Sequence, residues 1–180
     1  MSFSKVTGLC VGHLNIYHLP NKVSDLKVLL NKISPHIFGI SETKIKHEPN
    51  EEENKISSDM ISINNYVVAP FRRDIQRQLH TGLAVYVHES ISKFVKRRHD
   101  LEVDSVECIW LEFKNNKAKP ELIGFVYRNP ACDATWFDNF TDHMDSVINA
   151  YEKVTMLGDF NINLHEHNQK WMSIMTLFNL

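Results

Sequence analysis

Short apolar runs bounded by turn residues recur along the whole chain. They fall at Gly8 to Ile16, His36 to Ser41, Gly82 to His88, Val106 to Phe113, Glu121 to Tyr127 and Val154 to Phe160, and each has the length and make-up of a β-strand. Between the first two, NKVSDLKVLLNKI sets Leu26, Leu29, Leu30 and Ile33 at helical spacing, with Ser24 as the expected cap and Pro35 as the stop. A second helical stripe starts at Thr135, its expected N-cap. It carries Phe137, Phe140, Met144, Val147, Ile148 and Tyr151 and leads into VTMLGDF. A third pattern, from Asn168 to Leu180, puts Trp171, Ile174, Met175 and Phe178 on one face. The three middle runs have no helix between them, and the polar NNKAKP joins the last two, so this stretch predicts antiparallel pairing. The opening strand, helix and strand predict the opposite sense, and the sheets are therefore expected to be mixed. Trp110 and Trp136 read as core.

Composition narrows the class without choosing a function. The 180 residues are 43% hydrophobic and 23% charged, with a mean hydropathy of −0.29 and a net charge of −2. This excludes disordered, collagen-like and coiled-coil chains. A domain of about 150 residues hides roughly two-thirds of its unfolded surface, so no disulfide or structural metal is needed to offset small size. With no internal repeat, low-complexity tract or linker, residues 1 to 180 read as a single domain. Cys10, Cys108 and Cys132 are odd in number and widely spaced, as expected of free thiols in a reducing compartment. No apolar run approaches the roughly 20 residues of a membrane span, and no secretory signal opens the chain, so an intracellular protein is expected. EPNEEEN near residue 50 reads as a solvated loop.

The candidate chemistry lies at the strand ends. Asn15 follows GLCVGHL, Glu42 follows IFGIS, Tyr127 closes LIGFV and Asp159 closes VTMLG, and a hydrophobic core has no use for any of the four. Rigid strands deliver side chains into clefts at their ends, so four such ends can converge. Glu42 with Asp159 suits Mg²⁺, which needs one or two carboxylates and keeps several waters beside substrate phosphate. Asn161 stands two positions after Asp159, and in an extended GDFN segment both side chains would face one side. One would then orient water and the other bind phosphate.

Five motifs in order carry a resemblance: HLNI at 13 to 16, SETKI at 41 to 45, GLAVYV at 82 to 87, VYRNP at 126 to 130 and LGDFNIN at 157 to 163. They resemble the successive motifs of the endonuclease/exonuclease/phosphatase family, above all the apurinic-type endonuclease domain of non-LTR (LINE-type) retrotransposon polyproteins. The resemblance spans about residue 8 to 180. It implies a four-layer α/β sandwich, two packed mixed β-sheets flanked by helices. It implies Glu42 as principal Mg²⁺ ligand, with Mn²⁺ as a substitute, and Asn15 beside it in the metal and phosphate shell. Tyr127 would contact the scissile phosphate, Asp159 would activate the attacking water, and Asn161 would hold that water or a phosphate oxygen. The implied activity is metal-dependent nicking of DNA, as in target-site cleavage by a retrotransposon. A DNA substrate implies a nuclear location, with no membrane and no protein partner called for.

Departures from the family temper these expectations. The family continues past its GDFN helix to a terminal Ser-Asp-His motif that this sequence does not contain. The domain is therefore expected to be incomplete, lacking its last strands, and no catalytic histidine is assigned. Tyr17 stands two after Asn15, where relatives commonly offer a small polar or acidic side chain, and the metal shell is expected to be thinner. Plainer readings stand beside each residue. Glu42 and Asp159 could be capping or ion-paired carboxylates, Asn15 and Asn161 turn formers, and Tyr127 a core aromatic. His165 and His167 lack a third ligand and read as loop rather than zinc site. Two basic clusters, Arg72, Arg73 and Arg77, then Lys93, Lys96, Arg97 and Arg98, suit either DNA phosphates or an exposed face. The alternatives for function are a phosphatase of the same family, acting on phospholipid or inositol phosphate, and a catalytically dead nucleic-acid-binding fragment.

Overall fold

The computed structural model describes residues 8–45, 60–67, 81–115, 119–163 and 172. The chain opens with β1 (Val11–Asn15), a 3-10 turn (Leu19–Lys22), α1 (Val23–Ile33) and β2 (Ile37–Ser41). There follow β3 (Tyr66–Val67), β4 (Leu83–His88), a single turn of helix α2 (Glu89–Ser92) and β5 (Val95–Arg97). Then come a 3-10 turn (His99–Leu101), β6 (Glu107–Phe113), β7 (Glu121–Tyr127), α3 (Thr135–Ile148) and β8 (Val154–Asp159). Among the described residues two four-stranded sheets result, in the orders β1-β2-β4-β3 and β5-β6-β7-β8.

Both sheets are mixed, as the sequence predicts. β1 and β2 run parallel, joined by α1, and β7 and β8 run parallel, joined by α3. Parallel neighbours require such a crossover. Every other pairing is antiparallel. The two parallel pairs set the site. Their registers align Asn15 with Ser41 and Tyr127 with Asp159, so four strands finish at one end of the molecule.

Three apolar clusters separate four layers. Val23, Leu26 and Leu30 of α1 pack on Phe38, Ile40, Ala84 and Tyr86 of the first sheet. The opposite face of that sheet, with Ile37, Leu83, Val85 and Val87, packs on Ile109, Leu111, Ile123 and Phe125 of the second. The far face of the second sheet, with Cys108, Trp110, Leu122 and Val126, receives Trp136, Phe137, Phe140, Met144 and Val147 of α3. The alternation of apolar residues along β2 and β6 serves both faces, which is why these strands read as continuous hydrophobic runs. Gly39 sets the sheet-to-sheet spacing, because a Cβ there would lie 2.0 Å from the Phe125 ring.

Several local expectations give way to the structure. Ser24 sits inside α1 and caps nothing; the N-cap is Lys22, with no side-chain bond, because the preceding 3-10 turn feeds directly into the helix. At the other end Ser34 takes a left-handed conformation, φ 43°, and its N–H donates to Leu30 O before Pro35. Thr135 is the first helical residue of α3, not its cap, and Asp133 Oδ1 accepts from its N–H and hydroxyl at 2.9 and 2.6 Å. The stripe of α3 is rotated. Ile148 is 38% exposed, while Trp136 and His143 are buried, Trp136 stacked on Phe140 and His143 Nε2 accepting the buried Trp110 indole N–H at 2.9 Å. A polar residue belongs on the stripe here because the indole requires an acceptor. β4 does not continue into the antiparallel ladder of β6 and β7. It lies between β2 and β3, and the chain changes sheets across α2.

None of the three cysteines is in a disulfide. Arg97 pairs with Glu102 at 2.9 Å, and Arg98 with Asp100 and Glu112 at 2.6 and 2.8 Å, so half of the second basic cluster is neutralised internally. Arg72, Arg73, Arg77, the acidic stretch near residue 50, His165, His167 and the predicted helix at 168–180 lie outside the described residues, Met172 excepted. Among the described residues no helix is long and apolar enough to cross a membrane.

Two outcomes follow for stability. Gly39→Ala forces a methyl against Phe125 and is expected to cost about 1–3 kcal/mol, read as a lower urea midpoint with an unchanged slope. Buried Tyr66 donates to Pro35 O at 2.9 Å, and burial pushes its hydroxyl from 10.0 up to about 12. Burial raises the Tyr86 hydroxyl as well. An elevated folded pKa gives stability that is complete below pH 10 and is lost as pH climbs through 12. Stability should therefore fall across that window, and Tyr66→Phe should flatten the decline in an alkaline denaturation series.

Candidate active site

The side chains at the four strand ends meet. The Asn15 amide nitrogen donates to Glu42 Oε1 and to Asp159 Oδ2, each at 2.8 Å, and so joins the two sheets. Tyr127 donates its hydroxyl to the same Glu42 Oε1 at 3.2 Å. The Lys44 ammonium lies 3.6 Å from Glu42 Oε2. Two carboxylates thus stand on one amide, flanked by a phenol and an ammonium.

The phenol is locked in its protonated form. Burial raises the Tyr127 hydroxyl far above its ordinary 10.0, and the Glu42 carboxylate adds to this through its charge and its hydrogen bond. The charges of Glu107 and Asp159 act in the same direction. Tyr127 is therefore a hydrogen-bond donor at every working pH. Behind it, buried Glu107 accepts Gly82 N–H at 2.7 Å, a second tie between the sheets. Gly82 O in turn accepts Thr43 N–H, so this tie reaches the Glu42 loop. His13, two residues before Asn15, stacks on Phe125 with 6.5 Å between ring centroids. Burial lowers its pKa against the opposing charge of Asp159.

Asn161 stands differently from the extended expectation. Its φ is 47°, which turns the chain back, and its amide donates to Arg128 O at 2.7 Å instead of lying alongside Asp159. Its own N–H donates to Asp159 Oδ1 at 3.1 Å, and this bond aims the carboxylate. Arg128 completes the clamp. Only 9% exposed, it donates to Asn161 O at 3.2 Å and Cys132 O at 2.8 Å, with Phe137 and Trp136 under its guanidinium. The structure thus adds Lys44, Glu107 and Arg128 to the residues expected at the site. Lys44 and Arg128 are written in SETKI and VYRNP, two positions after Glu42 and one after Tyr127. Glu107 opens an apolar strand and carries no such signal.

Backbone strain collects here. Tyr17, His18, Glu42, Lys44 and Asn161 all take positive φ without being glycine. Each costs on the order of 1–2 kcal/mol, and such residues persist where the surroundings over-determine them, commonly at functional sites. The surroundings are visible: His18 N–H donates to Glu42 O at 2.8 Å and Leu19 N–H to Thr43 O at 2.9 Å, lacing the two loops together.

No protein-family model and no curated protein matches the sequence. Solved structures do match the coordinates. The endonuclease domain of TRAS1, a telomere-specific non-LTR retrotransposon, superposes with a TM-score of 0.69 at 12% identity, over 96% of this chain and 70% of that one. The AP endonuclease LMAP from Leishmania major gives 0.69 at 11% identity, over 93% and 65%. The fold is that of the endonuclease/exonuclease/phosphatase proteins. A mannosyl-6-phosphatase from Bacteroides thetaiotaomicron shares this fold, at 0.63 and 12% identity over 94% and 71%. This chain spans about two thirds of the length of these structures. The endonuclease/exonuclease/phosphatase fold thus serves endonucleases and a sugar phosphatase alike, and the site has to choose between them.

Arg128→Met removes the donor to the carbonyls of Asn161 and Cys132, a loss expected to cost about 1–3 kcal/mol in total. The variant is expected to melt well below the parent, and hydrogen exchange should rise first at Asn161 N–H, the donor to Asp159.

Proposed function

We propose that the chain is a Mg²⁺-dependent endonuclease that hydrolyses phosphodiester bonds in DNA. The observation that carries this reading is the Asn15 amide held between Glu42 and Asp159, with the Tyr127 hydroxyl on the same carboxylate. Carboxylate oxygens are the donors a hard divalent cation prefers, and two of them, with waters and substrate phosphate, suffice for Mg²⁺. The donor set fits the metal in this respect. Glu42 and Asp159 are the groups that would hold it, and Mn²⁺ would substitute. Asn15 would serve through its position, because its nitrogen faces the carboxylates and its oxygen accepts Tyr17 N–H at 3.1 Å. Bound there, the cation would supply charge neutralisation at the phosphoryl oxygens and acidify a water.

The protein's own groups complete the chemistry. Asp159, oriented by Asn15 and by Asn161 N–H, accepts the proton of the attacking water. Tyr127, kept neutral, donates to a phosphoryl oxygen on which negative charge grows in the transition state. The Lys44 ammonium beside Glu42 adds a fixed positive charge on the same side. The likeness of SETKI, VYRNP and LGDFNIN to the retrotransposon endonuclease motifs favours a nucleic acid over a small phosphate ester. Target-site nicking would place the protein in the nucleus.

The test is nicking of supercoiled plasmid in Mg²⁺, alongside hydrolysis of a soluble inositol phosphate. Asp159→Ala and Glu42→Gln should each slow nicking by about 10²- to 10⁴-fold, with circular dichroism and melting showing the fold intact. Nicking that survives both substitutions removes the site assignment, and inositol phosphate hydrolysis without nicking moves the protein to the phosphatases.

A further inference from the structure

Tyr17 projects its ring into solvent at the lip of this site, 61% exposed, from a backbone held at φ 45°. Its N–H is fixed on Asn15 Oδ1, and the following residues are laced to Glu42 and Thr43, so the ring is presented from a rigid base. The Lys44 ammonium sits over the ring, 3.1 Å from its centroid, and the Lys22 ammonium stands 5.7 Å from the same centroid. Lys44 is largely enclosed and paired with Glu42, whereas Lys22 is exposed. The assembly is an exposed aromatic ring with one cation close over it and a second farther out, two residues beyond Asn15, the strand end.

We propose that Tyr17 is a stacking platform for an unpaired nucleobase of the DNA, next to the scissile phosphate, with Lys22 meeting the adjoining backbone phosphate. The proposal rests on the nuclease reading and specifies which form of DNA that site prefers. Aromatic side chains bind single strands through the π-face that every base possesses, and lysines beside them follow the phosphates. A base inside an intact duplex has both faces covered by its neighbours, so this surface favours a strand that is frayed, gapped or flipped at the site. Lys44 occupies one face of the ring, so a stacked base would take the other.

The experiment measures binding of a short single-stranded oligonucleotide carrying one 2-aminopurine to the full chain in EDTA, where no metal-dependent cleavage occurs. Stacking on Tyr17 is read as quenching of the 2-aminopurine. Tyr17→Ala and Tyr17→Gly should abolish the quenching and weaken binding by about tenfold or more, with a smaller loss on a blunt duplex. Glycine relaxes the left-handed backbone, so a binding loss in Tyr17→Gly with an unchanged or higher melting temperature assigns the effect to the ring. Tyr17→Phe keeps the π-face and should restore quenching. Equal binding and quenching by the parent, Ala and Gly chains overturns the proposal. Plasmid nicking measured in parallel separates the two readings. A parent that nicks but shows no dependence on the ring removes the stacking platform alone, and one that neither nicks nor binds DNA removes both. Ring-dependent binding without nicking upholds the platform and removes the nuclease.

Discussion

One nitrogen atom joins the two halves of this structure at its working end. Asn15 is the last residue of β1 in the first sheet, and its amide gives one N–H to Glu42 of that sheet and the other to Asp159 of the second. Both bonds are 2.8 Å, which leaves little freedom in how far apart the sheets can stand at this point. The rest of the architecture provides that separation. Gly39 lets the Phe125 ring approach the first sheet, and Glu107 of the second sheet accepts Gly82 N–H of the first. Two carboxylates facing each other without compensation would repel. Here the amide protons, the Tyr127 hydroxyl and the Lys44 ammonium surround them.

Holding polar groups in this way has costs that show elsewhere. The guanidinium of Arg128 is buried among carbonyl oxygens and ring faces, and its Nε has no hydrogen-bond partner among the described residues. The hydroxyls of Ser41 and Thr43, on either side of Glu42, are likewise buried without partners among the described residues. Left-handed backbone at Glu42, Lys44 and Asn161 adds to the same account. A sequence selected for stability alone would replace these features. Their concentration at one end of otherwise well-packed sheets is what a site that must present charge to a ligand looks like.

The sequence makes the long elements and the strand-end residues legible, and the reason is periodicity. β1, β2, β4, β6, β7 and β8 are apolar enough to stand out, and each of the four polar residues that ends one is conspicuous because it interrupts such a run. What escapes is set by partners distant in the chain. β3 and β5 are two and three residues long and exist only through pairing with β4 and β6, so no local pattern could announce them. The change of sheet between β4 and β6 is likewise invisible, since both strands read as buried runs whichever neighbour they have. Asn161 misled for a different reason. Alternation assumes extended backbone, and the left-handed turn that Arg128 O stabilises breaks it. His143 was missed on the stripe of α3 because its place depends on the Trp110 indole, whose strand is far away in sequence.

The same fold carries enzymes that cut DNA and one that removes phosphate from a sugar, so the carboxylate pair cannot by itself decide the substrate. A phosphodiester and a phosphomonoester would present nearly the same oxygens to Glu42, Asp159 and Tyr127. They differ in what lies on either side of the phosphorus. A nucleic acid continues past the site in both directions with bases and further charges, whereas a small phosphate ester ends there. Selectivity must therefore reside in groups a few ångströms out from the carboxylates. On the reading proposed above, the loop after β1 would supply them through Tyr17 and its flanking lysines, on the same backbone that positions Asn15. Because one rigid backbone carries both Tyr17 and Asn15, a substrate held at the ring would also be held in register with the carboxylates.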